Sequence, residues 1–430
     1  MFQTIVNAFK IKEVRRKILI TIALIFVYRL GCFIPVPGVK AFEGLNDFTF
    51  LQIMSAVSGG ALSSGTFFAM GIGPYINASI IIQLLTVGIP ALERLSKQGE
   101  EGRRRINAYT RILTLVLAIA QAIGILVAFG GNGGVQFSAL FGNEGFGKFL
   151  SYAFLVIVYT AGATLTMWLG ERITDYGVSN GISLLIFAGI LSTAGSALLM
   201  EIGKLGNPDL AMGATWTLIG FVVAAIIIFG AIVAVNDAER KIPVQYAKQV
   251  KGRKMYGGQS THIPIKVNAS GVMPLIFSFA ILSFPDLVMN LFGVKDNWWI
   301  RNVGTGSWVY TVILCVLILF FAYFYNQIQF NPDDISKSIQ GNGGFIPGTR
   351  PGKPTADYLK RVSNRITLFG AIFLAALALI PSLVFKAIGG ETLMNVFSAT
   401  GLLIIVSVAL EFEQALQSQI MMKNYKGFLK

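Results

Sequence analysis

Long apolar runs separated by short polar stretches recur along nearly the whole chain. A membrane-crossing helix needs roughly 20 predominantly apolar residues, and ten segments meet or approach that length. They lie at 18–36, 72–89, 112–129, 149–169, 182–200, 216–235, 267–284, 309–325, 366–385 and 393–410. The pattern predicts an all-α membrane protein with ten transmembrane helices.

The positions of lysine and arginine predict which way these helices cross the membrane. With the N-terminus inside, 28 of the 35 lysine and arginine residues fall in the cytoplasmic segments. The outer loops then carry only Lys40, Lys148, Lys204, Lys295, Arg301 and Lys386. Because cytoplasmic loops are enriched in lysine and arginine, and ten is an even number, both termini are predicted to be cytoplasmic.

The composition supports this class of protein. Hydrophobic residues make up 54% of the chain and charged residues 13%, whereas a soluble domain carries roughly 25% charged residues. A net charge of +14 could indicate a nucleic-acid partner, but on so apolar a chain we attribute it to cytoplasmic loops. Cys32 and Cys315 both fall in apolar runs, which predicts neither a disulfide nor a metal site.

Candidate catalytic residues are scarce. The only histidine, His262, lies in a predicted cytoplasmic loop, which excludes a two-histidine zinc motif and a Ser–His relay within this chain. Arg29 is the only charged residue inside the ten spans and is expected to extend to the outer interface. The lack of a carboxylate within a span disfavours a proton-coupled carrier. We therefore expect no enzyme activity, no cofactor and no metal.

Two similar segments divide the chain. Residues 71–76 read Gly-Ile-Gly-Pro-Tyr-Ile and residues 271–276 read Gly-Val-Met-Pro-Leu-Ile, each at the second span of a set of five. Because five is odd, the second set would be inverted relative to the first, and inverted repeats commonly enclose a path between them. The predicted halves are residues 1–211 and 212–430.

Three connecting segments are unusual. Residues 54–68 are rich in glycine and serine, yet they are too apolar for an ordinary loop. Either a segment that re-enters the protein, where its backbone is shielded from lipid, or a surface loop with a short helix is expected. The segments 236–266 and 326–365 are far longer than a turn needs, and such loops tend to be functional or disordered.

Several long motifs resemble the SecY/Sec61 family of protein-conducting channels, along essentially the whole chain. They include Ile-Pro-Val-Pro-Gly at 34–38, Ser-Gly-Gly-Ala-Leu at 58–62, a thirteen-residue match at 74–86, Trp-Leu-Gly-Glu-Arg-Ile-Thr at 168–174 and Phe-Ile-Pro-Gly-Thr-Arg-Pro-Gly at 345–352. The resemblance implies two five-helix halves around a pore. That pore passes unfolded secretory proteins and releases hydrophobic segments sideways into lipid.

The resemblance also implies how the pore is closed. A ring of apolar side chains would fall on Ile72, Ile76, Ile182, Ile186, Ile276 and Ile404. A plug segment at about 54–64 would rest against this ring. Its carried-over residues are Met54, Ser58, Gly59, Gly60, Ala61, Leu62 and Ser64.

A lateral gate and a docking surface follow from the same resemblance. The gate residues would be Asn77, Gln83, Gln121, Asn268 and Phe284. Docking residues for the ribosome, which presents RNA phosphate, or for the SecA motor ATPase would be Arg240, Lys248, Arg253, Lys254 and Arg350.

The implied partners are the SecE and SecG subunits, SecA, the ribosome, signal peptides, unfolded precursor proteins and membrane lipid. The implied location is the bacterial inner membrane. The alternative to a protein channel is a secondary transporter of a small solute, since sodium carriers can use backbone carbonyls instead of carboxylates.

Overall fold

The computed structural model describes most of the chain, and helices dominate it. The described residues are 2–39, 55, 58–130, 141, 145–204, 208–246, 249–251, 254–256, 260–268, 271, 273–291, 299, 302–303, 307–388 and 399–427. Their helices are α1 (Phe2–Lys10), α2 (Lys12–Gly31), α3 (Gly73–Gly88), α4 (Pro90–Ser96), α5 (Glu100–Gly130), α6 (Gly145–Tyr176), α7 (Gly181–Lys204), α8 (Pro208–Asp237), α9 (Met273–Leu291), α10 (Trp308–Gln329), α11 (Pro332–Gly341), α12 (Lys353–Ile388) and α13 (Ala399–Gly427). Their strands are β1 (Glu239–Tyr246), β2 (Gln249–Lys251), β3 (Lys254–Tyr256), β4 (Ser260–Lys266) and β5 (Gly344–Phe345).

The predicted fold class is confirmed, and each of the ten predicted spans overlaps a helix. Six helices in the described ranges are long and apolar enough to cross a membrane, and α3 with α4 form a bent pair that would make a seventh. The bend of 105° falls at Ile89, whose backbone is extended. The ring of Pro90 disfavours a helical conformation for the residue before it, so α3 ends there.

One end of the molecule, which we call the loop face, brings together α1, the turn after α6 and the C-terminal helix α13. Thr4 Oγ1 donates a hydrogen bond to Glu413 Oε1 over 3.4 Å, and Gln419 Nε2 donates to the Val178 carbonyl over 3.2 Å. The predicted topology puts these three places on the same side, because an even number of spans separates them. The contacts agree with that topology.

A small antiparallel sheet joins the two long segments at the loop face. Its strand order is β4–β1–β5, with Glu239 opposite Lys266 and Gln245 opposite Phe345. Its apolar core is made by Ile242, Val244, Ile265, Ile339, Ile346 and Leu359. The described parts of both segments are thus ordered and packed together, and the sequence analysis predicted none of these strands.

The two similar segments adopt the same local structure. Gly71 and Gly271 both have a positive φ, of 51° and 62°, which favours glycine. Gly71 N–H donates to the Phe68 carbonyl over 2.9 Å, and Gly271 N–H donates to the Asn268 carbonyl over 3.3 Å. Each turn leads into a helix with a proline in its first turn, where the missing N–H costs no helical hydrogen bond. This supports the repeat, while the division into two halves stays a prediction.

Candidate functional site

The six isoleucines predicted to form a ring all lie in one apolar cluster, which we call the central cluster. They come from α3 and the residue before it, α7, α9 and α13, which belong to both predicted halves. Ile72, Ile186 and Ile404 are buried, whereas Ile76, Ile182 and Ile276 are half-buried. The structure therefore brings together residues separated by more than 300 positions in the sequence. Their role as a pore ring stays a prediction.

The described part of the plug segment is packed inside the protein. Ser58, Ala61 and Leu62 are buried, and Ala61 belongs to the central cluster. Ser64 is exposed, and Met54 lies outside the described residues. Of the two alternatives left open by the sequence, the structure favours the re-entrant segment over the surface loop.

Local hydrogen bonds shape the plug segment. The backbone N–H of Leu62 donates to Ser58 Oγ over 3.3 Å, and that of Ser64 donates to the Gly60 carbonyl over 3.2 Å. Gly59 and Gly60 have φ of 71° and 83°, a region that glycine occupies without steric cost. The Ser-Gly-Gly sequence therefore permits a compact turn instead of a helix.

The residues after the plug segment are fixed to α2 and α6. Phe67 N–H donates to the Ile34 carbonyl over 2.9 Å. A Cβ at Gly31 would lie 2.0 Å from the Phe68 ring, and a Cβ at Gly162 would lie 2.0 Å from the Phe67 carbonyl oxygen. A side chain at either glycine would collide with Phe67 or Phe68, so the residues that follow the plug segment are closely packed against α2 and α6.

A second apolar cluster joins α3 to α9 and α10, and we call this junction the seam. Ile80 packs there with Phe277, Phe321 and Tyr325. The Tyr325 hydroxyl donates a hydrogen bond to Gln83 Oε1. Helix α9 also packs along α5. The seam thus connects helices of the first predicted half with helices of the second.

The predicted gate residues do not all meet at one point. Asn77 is half-buried on α3, close in sequence to the seam residues. Gln121 on α5 is buried, and its amide has no hydrogen-bond partner among the described residues. Asn268 donates to Asn236 Oδ1 over 2.9 Å, a network separate from the bond at Gln83. Phe284 lies on α9, but its side chain is outside the described residues. The gate assignment stays a prediction.

The sequence profile of the SecY family matches residues 66–413, well over half of the chain. The chain belongs to the SecY family. Relatives in this family align over its full length. The protein translocase subunit SecY of Streptomyces griseus is 43% identical over 449 residues, which cover 100% of both chains. That of Corynebacterium glutamicum is 41% identical over 446 residues, which cover 99% of each.

Solved structures share the SecY fold. One described as the structure of a protein-conducting channel aligns with a TM-score of 0.69 at 21% identity, covering 94% of this chain and 92% of that one. Another, described as showing that the plug domain of SecY stabilises the closed channel and maintains a membrane seal, aligns with a TM-score of 0.65 at 18% identity over the same shares. Identities this low establish the fold alone.

Two of the predicted docking residues, Arg240 and Arg350, lie on the described part of the loop face of this SecY-family chain, and their docking role stays a prediction. Arg350 is exposed in the turn between β5 and α12, and its carbonyl accepts a hydrogen bond from Thr355 Oγ1 over 2.8 Å. Arg240 is exposed on β1, and Lys254 begins β3. Lys248 and Arg253 lie outside the described residues. The backbone at Arg350 is thus held while its side chain stays accessible.

Arg29, which was expected to extend to the outer interface, lies near the outer end of α2 with its guanidinium turned toward α7. It is half-buried, and Nη2 donates a hydrogen bond to Ser192 Oγ on α7. The reason is the packing of α2 against α7, which points this face of α2 into the protein.

The aromatic rings that α9 and α10 contribute to the seam of this SecY-family chain were not predicted from the sequence. The Phe277 ring packs edge-on against Phe321 and tilted against Tyr325, with ring centroids 5.7 and 5.0 Å apart. The aromatic run at 320–325 was visible in the sequence. Hydropathy alone could not separate it from lipid-facing aromatic residues, which are also common in spans.

Proposed function

We propose that this chain is the pore-forming subunit of a general protein translocation channel. It passes unfolded secretory proteins across the membrane and releases hydrophobic segments sideways into lipid. The SecY relatives are named protein translocase subunits, and the structural neighbours include protein-conducting channels.

One observation carries this proposal: isoleucines from four helices of both predicted halves meet in the central cluster, with Ala61 of the plug segment packed against them. Branched apolar side chains offer an ion no oxygen ligand, and an apolar constriction closes by drying. The same side chains form no hydrogen bonds to a passing polypeptide. A ring of this chemistry can therefore block ions and still yield to a protein chain.

The seam supports the sideways release of hydrophobic segments. It is built from apolar and aromatic contacts with the Gln83–Tyr325 hydrogen bond among them. Transfer of apolar surface from water to lipid gains about 25 cal/mol per Å². A hydrophobic segment in the pore would gain this energy if α3 moved away from α9 and α10.

The proposed orientation puts the loop face in the cytoplasm of a bacterial cell. This is supported by the concentration of lysine and arginine in the segments that the loop face brings together. A relative of this fold was solved in a canine ribosome–channel complex, with a TM-score of 0.63. We propose the ribosome and SecA as partners at the loop face, with SecE and SecG as neighbouring subunits in the membrane.

Reconstitution tests this function against the alternative. Vesicles containing the chain with its partner subunits, SecA and ATP are expected to import an unfolded precursor protein, and vesicles lacking the chain are not. Uptake of a small solute without precursor import would instead support a secondary transporter.

The exposed tip of the second long segment yields a further prediction. Arg350→Glu is expected to lower SecA-driven translocation more than about tenfold, because the substitution turns an attractive contact with an acidic or phosphate partner into a repulsive one. Precursor import in inverted membrane vesicles measures this, with insertion of the channel checked by protease digestion.

The neighbouring helix α11 provides a matched control for Arg350. Lys337 is exposed there, and Lys337→Glu makes the same change in charge on the same face. We expect nearly normal translocation from this variant. Equal losses from both variants would mean that net charge, and not the position of Arg350, determines the rate.

A further inference from the structure

Arg29 brings a positive charge against the plug segment. It lies near the outer end of α2, and its guanidinium extends to α7, where it bonds Ser192. The Phe33 ring lies 5.5 Å from its Cζ atom, a cation–π distance. This arrangement bridges two helices at the level of Gly59.

The guanidinium occupies the space beside the Gly59 backbone. A Cβ at Gly59 would lie 2.1 Å from Arg29 Nη1 and 3.2 Å from the Gly189 carbonyl oxygen. The plug segment, the Arg29 side chain and α7 are therefore in contact at this point. Any side chain at position 59 would have to displace one of them.

Burial of the Arg29 guanidinium costs free energy, because its hydrogen bonds are incomplete. Its Nη1 atom is buried and has no hydrogen-bond partner among the described residues, and no described carboxylate lies within ion-pair distance. A charge buried in protein is costly unless it is paired or fully hydrogen-bonded.

We propose that Arg29 is a positioning residue that holds the plug segment in its resting place. The inference rests on the proposed function, because it assumes that residues 58–64 move aside when the channel opens. Arg29 fixes the resting position by filling the space between Gly59 and α7. Because Nη1 regains its hydration when the plug segment leaves, its burial opposes the packing contact and keeps the resting position from being permanent.

Cys32 provides a native reporter of the plug position. The residue is only 5% exposed, and Sγ lies 3.7 Å from the Ser58 carbonyl oxygen. Displacement of the plug segment would uncover it. In a Cys315→Ala background, the alkylation rate of Cys32 by a small, membrane-impermeant thiol reagent measures how often the plug segment is displaced.

Arg29→Gln is expected to raise the Cys32 alkylation rate severalfold, because the shorter glutamine leaves the space between Gly59 and α7 unfilled and the plug segment loses packing contacts in its resting place. Resting ion conductance of the reconstituted channel should rise with it. Arg29→Lys keeps the charge but lacks the planar fork of donors, so its effect should lie between wild type and Arg29→Gln.

Substitutions at two neighbouring glycines distinguish the effect of this contact from the effect of backbone strain. Gly59→Ala and Gly60→Ala both place a side chain at positive φ, but a Cβ at Gly60 would meet only Ser63 Oγ at 3.8 Å. Gly59→Ala should therefore raise alkylation more than Gly60→Ala does. Combined with Arg29→Gln, which removes the bulky guanidinium, the Gly59→Ala effect should be smaller than it is alone. If the increase in the Cys32 alkylation rate of the double variant equals the product of the two single increases, the proposal is overturned.

Deletion of residues 58–64 distinguishes this inference from the proposed function. If the deletion leaves resting conductance at the wild-type level, the sealing role of the plug segment fails. If the deletion raises conductance while Arg29→Gln leaves both conductance and Cys32 alkylation unchanged, the Arg29 proposal fails alone.

Discussion

A short covalent link across the seam is expected to abolish translocation. The Tyr325 hydroxyl reaches Gln83 across the seam, so cysteines at these two positions come within reach of a short bifunctional thiol reagent. With Cys32 and Cys315 removed, cross-linked Gln83→Cys/Tyr325→Cys channels should neither import a precursor nor release a hydrophobic segment into lipid. A long, flexible reagent at the same pair should preserve activity, because it allows α3 to part from α10.

A pair inside the second predicted half controls for the chemistry of cross-linking. Asn326 lies next to Tyr325, and its Nδ2 donates to Ser363 Oγ over 2.9 Å, which joins α10 to α12. A link at Asn326→Cys/Ser363→Cys should leave translocation intact, since these helices belong to the same half. If the short Gln83–Tyr325 link forms efficiently and both activities continue, the seam is not the gate.

A helix was found at each predicted span because hydrophobicity is a local property of the sequence. Each run of about 20 apolar residues can be recognised without knowing its neighbours. The turn at Gly71 and its counterpart at Gly271 were also visible, since a glycine and a proline at fixed positions determine the backbone locally.

Assembly of the central cluster could not be predicted from hydropathy. Isoleucine is common in every span, and nothing local to Ile186 or Ile404 indicates that they meet. Only the family resemblance selected the six positions. The contacts of Arg29 with Ser192 and Gly59 were not predicted for a related reason, because the face that α2 turns inward depends on α7 and the plug segment.

The sheet was missed because its strands contain prolines. Pro243 and Pro264 argue against central strands, since proline cannot donate to a ladder. Strand β5 pairs only with Gln245 and Tyr246. At Pro243, which lies opposite His262 of β4, the other edge of β1 therefore has no partner among the described strands. Recognising these strands would have required knowing which edges of β1 and β4 are left without a partner.

Polar substitution of the half-buried ring isoleucines is expected to open the resting channel to ions. Ile76, Ile182 and Ile276 are the ring members with surface left uncovered, so their replacement by serine disturbs the packed core less than replacement of the buried three. Each replacement of isoleucine by serine removes about 2 kcal/mol of the hydrophobic free energy that keeps the constriction free of water. Because every 1.4 kcal/mol is about a factor of ten, the triple variant should conduct at least about tenfold more than wild type in planar bilayers.

Lipid-facing isoleucines provide the control for this triple variant. Ile157 and Ile226 are 67% and 66% exposed, and Ile112 is 64% exposed, so serine there changes composition equally but leaves the central cluster intact. That control should stay closed, and leucine at the three ring positions should also keep the seal, since it remains apolar. Deletion of residues 58–64 should add to the leak of the serine variant, because Ala61 covers the central cluster. A serine variant that folds and inserts but conducts no more than the lipid-facing control would show that these isoleucines do not form the seal.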